Sequence, residues 1–94
     1  MIVMILERVP SSLRGTLSRW LIEPSRGVFV GHVSGMVREQ LWDKCKNNKH
    51  TGGVVQVWNS NNEQRFKMRM VGNTKRRLLD LEGLQLVEIP RGEL

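Results

Sequence analysis

The first six residues, Met1 to Leu6, form an unbroken apolar run that is followed by Glu7, Arg8 and Pro10. The run is too short to cross a membrane and shows no polar alternation, so it predicts a strand that is covered on both faces. Pro10 marks the end of the strand because proline cannot donate a ladder hydrogen bond. This strand would deliver Glu7 and Arg8 to its C-terminal edge, where ligands of open α/β sheets bind.

The length and the charge narrow the class of protein. A chain of 94 residues forms one small domain, residues 1–94, and self-association through its sheet would add stability, so we expect a homodimer. The 15 Lys and Arg residues against 9 acidic ones give a net charge of +6, which favours a polyanion as partner. The single Cys45 excludes an intrachain disulfide and fits a cytoplasmic protein. The apolar start lacks the features of a signal peptide, and no membrane association is expected.

The remaining patterns alternate between strands and helices. Ser11 or Ser12 would cap a first helix and Ser34 a second one, with a strand over residues 27–33 between them. The predicted buried positions of the helices are Leu13, Leu17, Trp20, Leu21, Met36, Val37, Leu41 and Cys45. Strands are also predicted over residues 54–58, 64–71 and 84–89. A loop is expected over residues 75–77, and Glu82 and Gly83 are expected to form the turn before the last strand. This order predicts an α+β sandwich, ferredoxin-like, with two helices over a mainly antiparallel sheet.

A basic stretch follows in the second half of the chain. Between Gln64 and Leu79 there are six cations and no acid: Arg65, Lys67, Arg69, Lys75, Arg76 and Arg77. Strand alternation puts the first three on one face and Phe66, Met68 and Met70 on the other. Such a row can neutralise the phosphates of duplex DNA without reading its sequence. The alternative is an ordinary solvated face.

The catalytic possibilities are few. His32 and His50 have no partner at a diagnostic spacing, and the sequence contains no nucleophile elbow or phosphate loop. One route uses a Mg²⁺ ion, which needs only one or two carboxylates, so Glu7 residues of two subunits could form a metal-dependent nuclease site. In the alternative reading Glu7 pairs with Arg8 or another surface cation.

Four segments together resemble a known family. They are Leu-Glu-Arg-Val-Pro, Leu-Arg-Gly-Thr-Leu-Ser-Arg-Trp-Leu-Ile-Glu, Arg-Gly-Val-Phe-Val-Gly-His-Val-Ser and Asp-Leu-Glu-Gly-Leu-Gln-Leu-Val, in this order along the chain. On them the chain resembles the smaller of the two universal CRISPR adaptation proteins, in its type I-E branch. The resemblance implies a homodimer that bridges two dimers of the CRISPR integrase and binds the backbone of protospacer duplex DNA during spacer acquisition.

The resemblance also implies roles for individual residues. Arg14, Lys75 and Arg76 match basic positions that approach DNA, whereas Ser12 stands where a relative has a further Arg. Residues 78–94 match the C-terminal segment that docks onto the integrase, with Asp80, Leu81, Glu82, Leu84, Leu86 and Ile89 as its docking residues. Family members are described as metal-dependent endoribonucleases or endonucleases, with an Asp at the end of the first strand. Here Glu7 takes that position, so it is the candidate catalytic and Mg²⁺-binding residue; a toxin-like ribonuclease of similar fold is a further alternative.

Overall fold

The computed structural model describes residues 1–72, 76–90 and 92. It contains two helices, α1 (Ser11–Ser18) and α2 (Gly35–Lys46). The strands are β1 (Ile2–Leu6), β2 (Ile22–Ser25), β3 (Val28–Gly31), β4 (Val54–Asn59), β5 (Phe66–Val71), β6 (Arg77–Leu81) and β7 (Leu84–Glu88). No helix within the described ranges is long and apolar enough to span a membrane.

The first five strands form one sheet in the order β2-β3-β1-β4-β5, with β1 at the centre. Every neighbouring pair in it is antiparallel. Up to β4, the chain order and strand order are compatible with a ferredoxin-like fold, and β5 is added at the edge next to β4. Strands β6 and β7 form a separate hairpin. The predicted α+β fold with two helices and a mainly antiparallel sheet is therefore confirmed.

The hydrophobic core lies between the helices and one face of the sheet. Ile2, Met4 and Leu6 alternate along β1 and are buried, because every second side chain of a strand points to the same face. Buried residues of α1, α2 and the neighbouring strands complete the core: Leu13, Leu17, Leu21, Phe29, Leu41, Trp42, Cys45 and Val54. Burial raises the pKa of the Cys45 thiol to about 12, which fits its predicted place in the core.

The opposite face of the sheet is apolar and has no helix over it. Its side chains form two rows across the strands, in which register pairs the residues directly: Val30, Val3, Val57 and Met68, and Val28, Ile5, Val55 and Met70. Ile5 at the centre is 44% exposed. The prediction that β1 is covered on both faces is therefore not met within one chain.

Strand β2 was not predicted from the sequence. Pro24 resembles a helix stop, but proline is also tolerated in an edge strand, where its missing N–H breaks no ladder bond. Arg26 and Gly27 then form a tight turn that joins β2 to β3, and Gly27 has a positive φ of 80°. Strand β6 was missed as well: Arg77 begins it, whereas a loop was expected there. The predicted turn at Glu82 and Gly83 is confirmed, with positive φ at both residues, as hairpin turns require.

Three further expectations about the helices were wrong. Helix α1 begins at Ser11 with Pro10 as its N-cap residue, so neither Ser11 nor Ser12 is the cap. The predicted cap of α2 is confirmed, because the Ser34 hydroxyl accepts a 3.2 Å hydrogen bond from the N–H of Val37. Trp20 and Met36 are 52% and 72% exposed, because α1 ends at Ser18 and Met36 lies in the first turn of α2.

Candidate nucleic-acid interface

One end of the sheet collects basic residues on closely packed backbone. Strands β1 and β5 end there and β4 begins there, because Leu6 pairs with Val54 and Val54 with Val71. The chain then continues from β1 into Glu7 and Arg8, and from β5 through Gly72 towards Arg76. The turn before β3 lies at this end as well, because the carbonyl of Gly27 accepts a 2.8 Å bond from the N–H of Leu6.

Glu7 and Arg8 extend the central strand by one more pair of hydrogen bonds. The N–H of Glu7 donates to the carbonyl of Gly53 at 3.0 Å, and the N–H of Gly52 donates to the carbonyl of Glu7 at 2.7 Å. A Cβ at Gly52 would lie 2.9 Å from the Cβ of Glu7, so only glycine fits there. Arg8 then adopts a left-handed conformation, with φ of 54°. Glu7 is exposed at the rim of the open apolar face.

The described residues contain no cluster of three potential metal ligands, and at this end of β1 Glu7 is followed directly by the guanidinium of Arg8. Mg²⁺ is bound by carboxylates, and the site expected from the sequence would take its carboxylates from the Glu7 residues of two copies.

Arg14 lies on α1 and is bound by a carboxylate. Its Nε and Nη2 donate to the two carboxylate oxygens of Glu23 at 3.0 and 3.2 Å. The N–H of Gly27 donates to the same carboxylate at 2.8 Å. The hydrogen bond from Arg14, and then that from Gly27, hold the pKa of Glu23 below its ordinary value. The pair fixes the orientation of the Arg14 side chain and neutralises part of its charge.

The three predicted cations of β5 do not form one equivalent row. Arg65 lies in the turn before β5, with φ of 72°, because the strand begins at Phe66, two residues after its predicted start at Gln64. Lys67 pairs with Trp58 and Arg69 with Gln56, which places both on the face that the helices cover. Lys67 at the edge is exposed, whereas Arg69 is partly buried.

Arg69 is held by an internal network. Its Nη1 and Nη2 donate to Glu39 on α2 at 3.1 and 2.7 Å. Its Nε and Nη2 also donate to the side-chain oxygen of Gln56, which is fully buried, at 2.9 and 2.6 Å. The guanidinium lies over the rings of Trp42 and Trp58, 4.5 and 5.0 Å from their centroids. These contacts tie β5 to α2 and leave little of the group for a phosphate.

A cleft of about 340 Å³ follows the end of β5. Its lining includes three of the predicted DNA-binding residues, Arg69, Arg76 and Arg77, together with the backbone around Gly72. Arg77 is 70% exposed and donates to Glu88 across the hairpin at 3.0 Å. The structure thus brings these three cations together, and it separates them from Arg14. The prediction for Lys75 lies outside the described residues.

The β6–β7 hairpin presents apolar side chains to solvent. The predicted docking residues Leu81, Leu84, Leu86 and Ile89 are 57%, 40%, 44% and 41% exposed. Asp80 and Glu82 belong to the turn region, where Asp80 accepts a 3.1 Å hydrogen bond from the N–H of Gly83. Apolar side chains grouped at the surface in this way are typical of interaction surfaces.

Two glutamines attach this hairpin to β5. The side-chain amide of Gln85 donates to the carbonyl of Met68 at 2.8 Å and accepts from its N–H at 2.7 Å. The side-chain amide of Gln64 exchanges an equivalent pair of bonds with the backbone of Gln85, at 2.8 and 2.9 Å. The side chains imitate strand pairing, and they occupy part of the free edge of β5.

Sequence reasoning missed the partners that decide which cations are available. Gln56, a polar residue in the apolar run of β4, was the one sign in the sequence that a partner of this kind exists. A buried amide needs hydrogen-bond partners, and Arg69 is one of them. Neither Glu23 nor Glu39 was expected to bind a predicted DNA-binding arginine, since nothing in a single sequence relates positions 9 or 30 residues apart.

A comparison with protein families matches this chain to the family model described as CRISPR-associated protein (Cas_Cas2CT1978), over residues 1–86. The match includes both helices, the whole five-stranded sheet and the first strand of the hairpin. The family resemblance inferred from the sequence motifs is therefore confirmed.

Proposed function

Because the chain belongs to this family of CRISPR-associated proteins, we propose that it acts in spacer acquisition as a non-catalytic, homodimeric scaffold. In this role it binds the backbone of protospacer duplex DNA and bridges dimers of the CRISPR integrase. The observation that carries the proposal is the gathering of Arg8, Arg26 and Arg76 around the end of the sheet where β1 stops. The integrase would perform strand transfer.

The DNA-binding part follows from charge and shape. The net charge of +6 favours association with a polyanion, and the cleft that contains Arg76 and Arg77 is open to a backbone passing over it. Contacts of this kind read phosphates and not bases, so binding should be insensitive to sequence. Lys67 and Arg65 are exposed and would extend the same footprint, together with Lys75.

The DNA contact is tested with Arg76→Glu combined with Arg77→Glu, measured by fluorescence anisotropy on a labelled duplex over a range of salt concentrations. Loss of two phosphate contacts should lower the slope of log K against log salt by about 1.8. Lys44→Glu, near the end of α2, combined with Lys49→Glu, in the loop after it, is the matched control, because both residues lie outside the lining of this cleft and the net charge changes equally. Equal losses in both variants would contradict a specific contact at this cleft.

The homodimer would form through the open apolar face of the sheet. The rows through Val3 and Ile5 lie next to each other on one side of the sheet, and a second copy offers the same apolar rows about a two-fold axis. We expect Val57→Asp, in the middle of the face, to give monomers in multi-angle light scattering, whereas Ser11→Asp, exposed in the first turn of α1, should leave the dimer intact. A dimer that survives Val57→Asp would place the interface elsewhere.

The β6–β7 hairpin is the proposed contact with the integrase. Its leucines are exposed although the rest of the hairpin is attached to β5, so a partner could cover them without unfolding the domain. Co-purification with the integrase of the same locus, followed by mass spectrometry, tests this. Leu84→Ser combined with Leu86→Ser should remove the integrase from the eluate while duplex binding by the dimer itself persists.

A Mg²⁺-dependent nuclease is the second candidate function, and the rim position of Glu7 favours it. If two copies pack through their open faces, two Glu7 carboxylates border the same interface and could share a metal ion. Glu7→Ala separates the two functions: the scaffold predicts full spacer acquisition by the folded variant, whereas the nuclease predicts loss of a cleavage activity that EDTA also abolishes.

A further inference from the structure

We propose that Arg8, Arg14 and Arg26 form a pocket for one phosphate group beside the C-terminal end of β1. The inference rests on the proposed function only for the source of the phosphate, which there would be the DNA. The pocket itself is argued from its lining, its charge and its backbone.

The three arginines surround one cavity. It has a volume of about 360 Å³, and its other lining residues are Leu6, Val9 and Gly27. A neighbouring cleft of about 390 Å³ shares Arg14 and Arg26 and continues towards Pro24 and Ser25. A phosphate group reaching the cavity would therefore meet guanidinium groups from the β1 end, from α1 and from the β2–β3 turn.

The charge around the cavity is not balanced within the chain. Glu23 is the single carboxylate in the lining of the two clefts, and Arg14 and the N–H of Gly27 already bind it. Among the described residues, Arg8 and Arg26 take part in no ion pair and donate no side-chain hydrogen bond. Three guanidinium charges and one carboxylate leave a net charge of +2 (3 − 1), which an anion would neutralise.

The backbone holds Arg8 in a conformation that arginine rarely adopts. Its φ of 54° is left-handed, and a non-glycine residue there costs free energy. The neighbours enforce it: Gly52 allows Glu7 and the Nε of Arg8 to approach, and Gly27 allows its turn to contact the carbonyl of Leu6, where a Cβ would lie at 2.5 Å. An arginine at a strained position that suits glycine points to a function of its side chain.

The chemistry fits phosphate better than a carboxylate. Guanidinium groups present planar pairs of N–H donors that bind two oxygens at once, and a phosphate offers enough oxygens for several such groups. Glu23 prepares the site by fixing Arg14, whose Nη1 also points at the carbonyl of Val9 at 3.5 Å. The phosphate can come from the DNA backbone, from a DNA 5′ end or from free phosphate in solution.

Arg8→Gly combined with Arg26→Ala tests the pocket. Glycine suits the φ of position 8, so the variant should fold, as its melting temperature will show. Lys44→Ala combined with Lys49→Ala is the control of equal charge. Inorganic phosphate should shift the Nε–Hε NMR signals of Arg8 and Arg26 in the unmodified protein, and the pocket variant should bind a duplex roughly tenfold more weakly than the control does.

The probes separate the sources. A preference for 5′-phosphorylated over 5′-hydroxyl duplex that disappears in the pocket variant assigns the pocket to DNA ends, whereas equal loss on both duplexes assigns it to the backbone. Phosphate-induced shifts without any duplex binding by the unmodified protein would support the pocket and contradict the proposed function. Arginine signals that phosphate leaves unchanged, with equal duplex affinity of variant and control, would overturn the pocket.

Discussion

Replacing Arg69 should damage the fold more than it damages DNA binding. The side chain was predicted to contact nucleic acid, but in the structure its guanidinium binds Glu39 and Gln56 and lies over Trp42 and Trp58. Arg69→Ala removes all of these contacts at once. Lys67→Ala is the matched control, because Lys67 is a cation on the same face of the same strand and is exposed.

The size of the effect follows from the individual contacts. The oxygen of Gln56 is fully buried and would lose both of its donors, which costs about 1–3 kcal/mol. The two aromatic contacts add about 0.5–1 kcal/mol each. The ion pair with Glu39, which is 50% exposed, adds little because solvent screens it. We expect the free energy of unfolding to fall by about 2–5 kcal/mol in Arg69→Ala and by under about 0.5 kcal/mol in Lys67→Ala.

Urea denaturation followed by tryptophan fluorescence measures this difference, since Trp42 and Trp58 change environment when β5 separates from α2. All proteins are compared at one concentration, because dimerisation would make stability concentration-dependent. In a thermal scan each kcal/mol of the loss corresponds to a fall of roughly 4–8 °C in the melting temperature. An Arg69→Ala variant as stable as Lys67→Ala, with a much larger loss of duplex affinity, would refute the structural role and restore Arg69 as a DNA contact.

Three further predictions concern the sheet end and the hairpin. Because its partners hold the pKa of Glu23 below the ordinary value of 4.5, the stabilisation by this carboxylate is complete above about pH 4.5 and is lost as the pH falls below it. Urea midpoints of the unmodified protein and Glu23→Gln should therefore differ at neutral pH and converge in acid, and a constant difference would contradict the pair. Gln85→Ala should raise hydrogen exchange at the amide of Met68 by releasing the hairpin, while the melting temperature of the main sheet changes little; unchanged protection would mean that other contacts hold the hairpin. Gly52→Ala should lower the free energy of unfolding by about 1–3 kcal/mol, because the new Cβ would collide with Glu7. Gly15→Ala should raise it by about 0.5–1 kcal/mol, because Gly15 has open space around it in α1. Calorimetry that ranks the two variants in the opposite order would contradict this packing.

The sequence predicted those elements whose signals are local. Three predicted features depend on a few neighbouring residues each, and all three are present in the structure: the alternation from Lys67 onwards, the cap at Ser34, and the turn at Glu82 and Gly83. Strand β2 was missed because its evidence is not local: Ile22 to Ser25 becomes a strand by pairing with β3, and Pro24 argues against it in isolation.

The candidate site was harder to predict for the same reason. Alternation correctly puts Lys67 and Arg69 on one face, but it does not say that this is the face covered by α2. Only the folded chain brings Glu39 and the two tryptophans to Arg69. Whether a cation can contact DNA therefore depends on the side chains that surround it in the fold, and neither composition nor sequence spacing specifies these neighbours.

The partners also explain where the remaining charge is concentrated. Glu23 and Glu39 each bind one of the predicted DNA-binding arginines, Arg14 and Arg69. The positive charge that is left over at the end of β1 lies on Arg8 and Arg26, on backbone that glycines 27 and 52 allow to pack closely. Gly72 packs against Gly52 in turn, with its own positive φ of 88°, and leads the chain to Arg76. The same glycines that close this end of the sheet thus connect the two basic clefts, so a duplex lying across this end would meet both along one path.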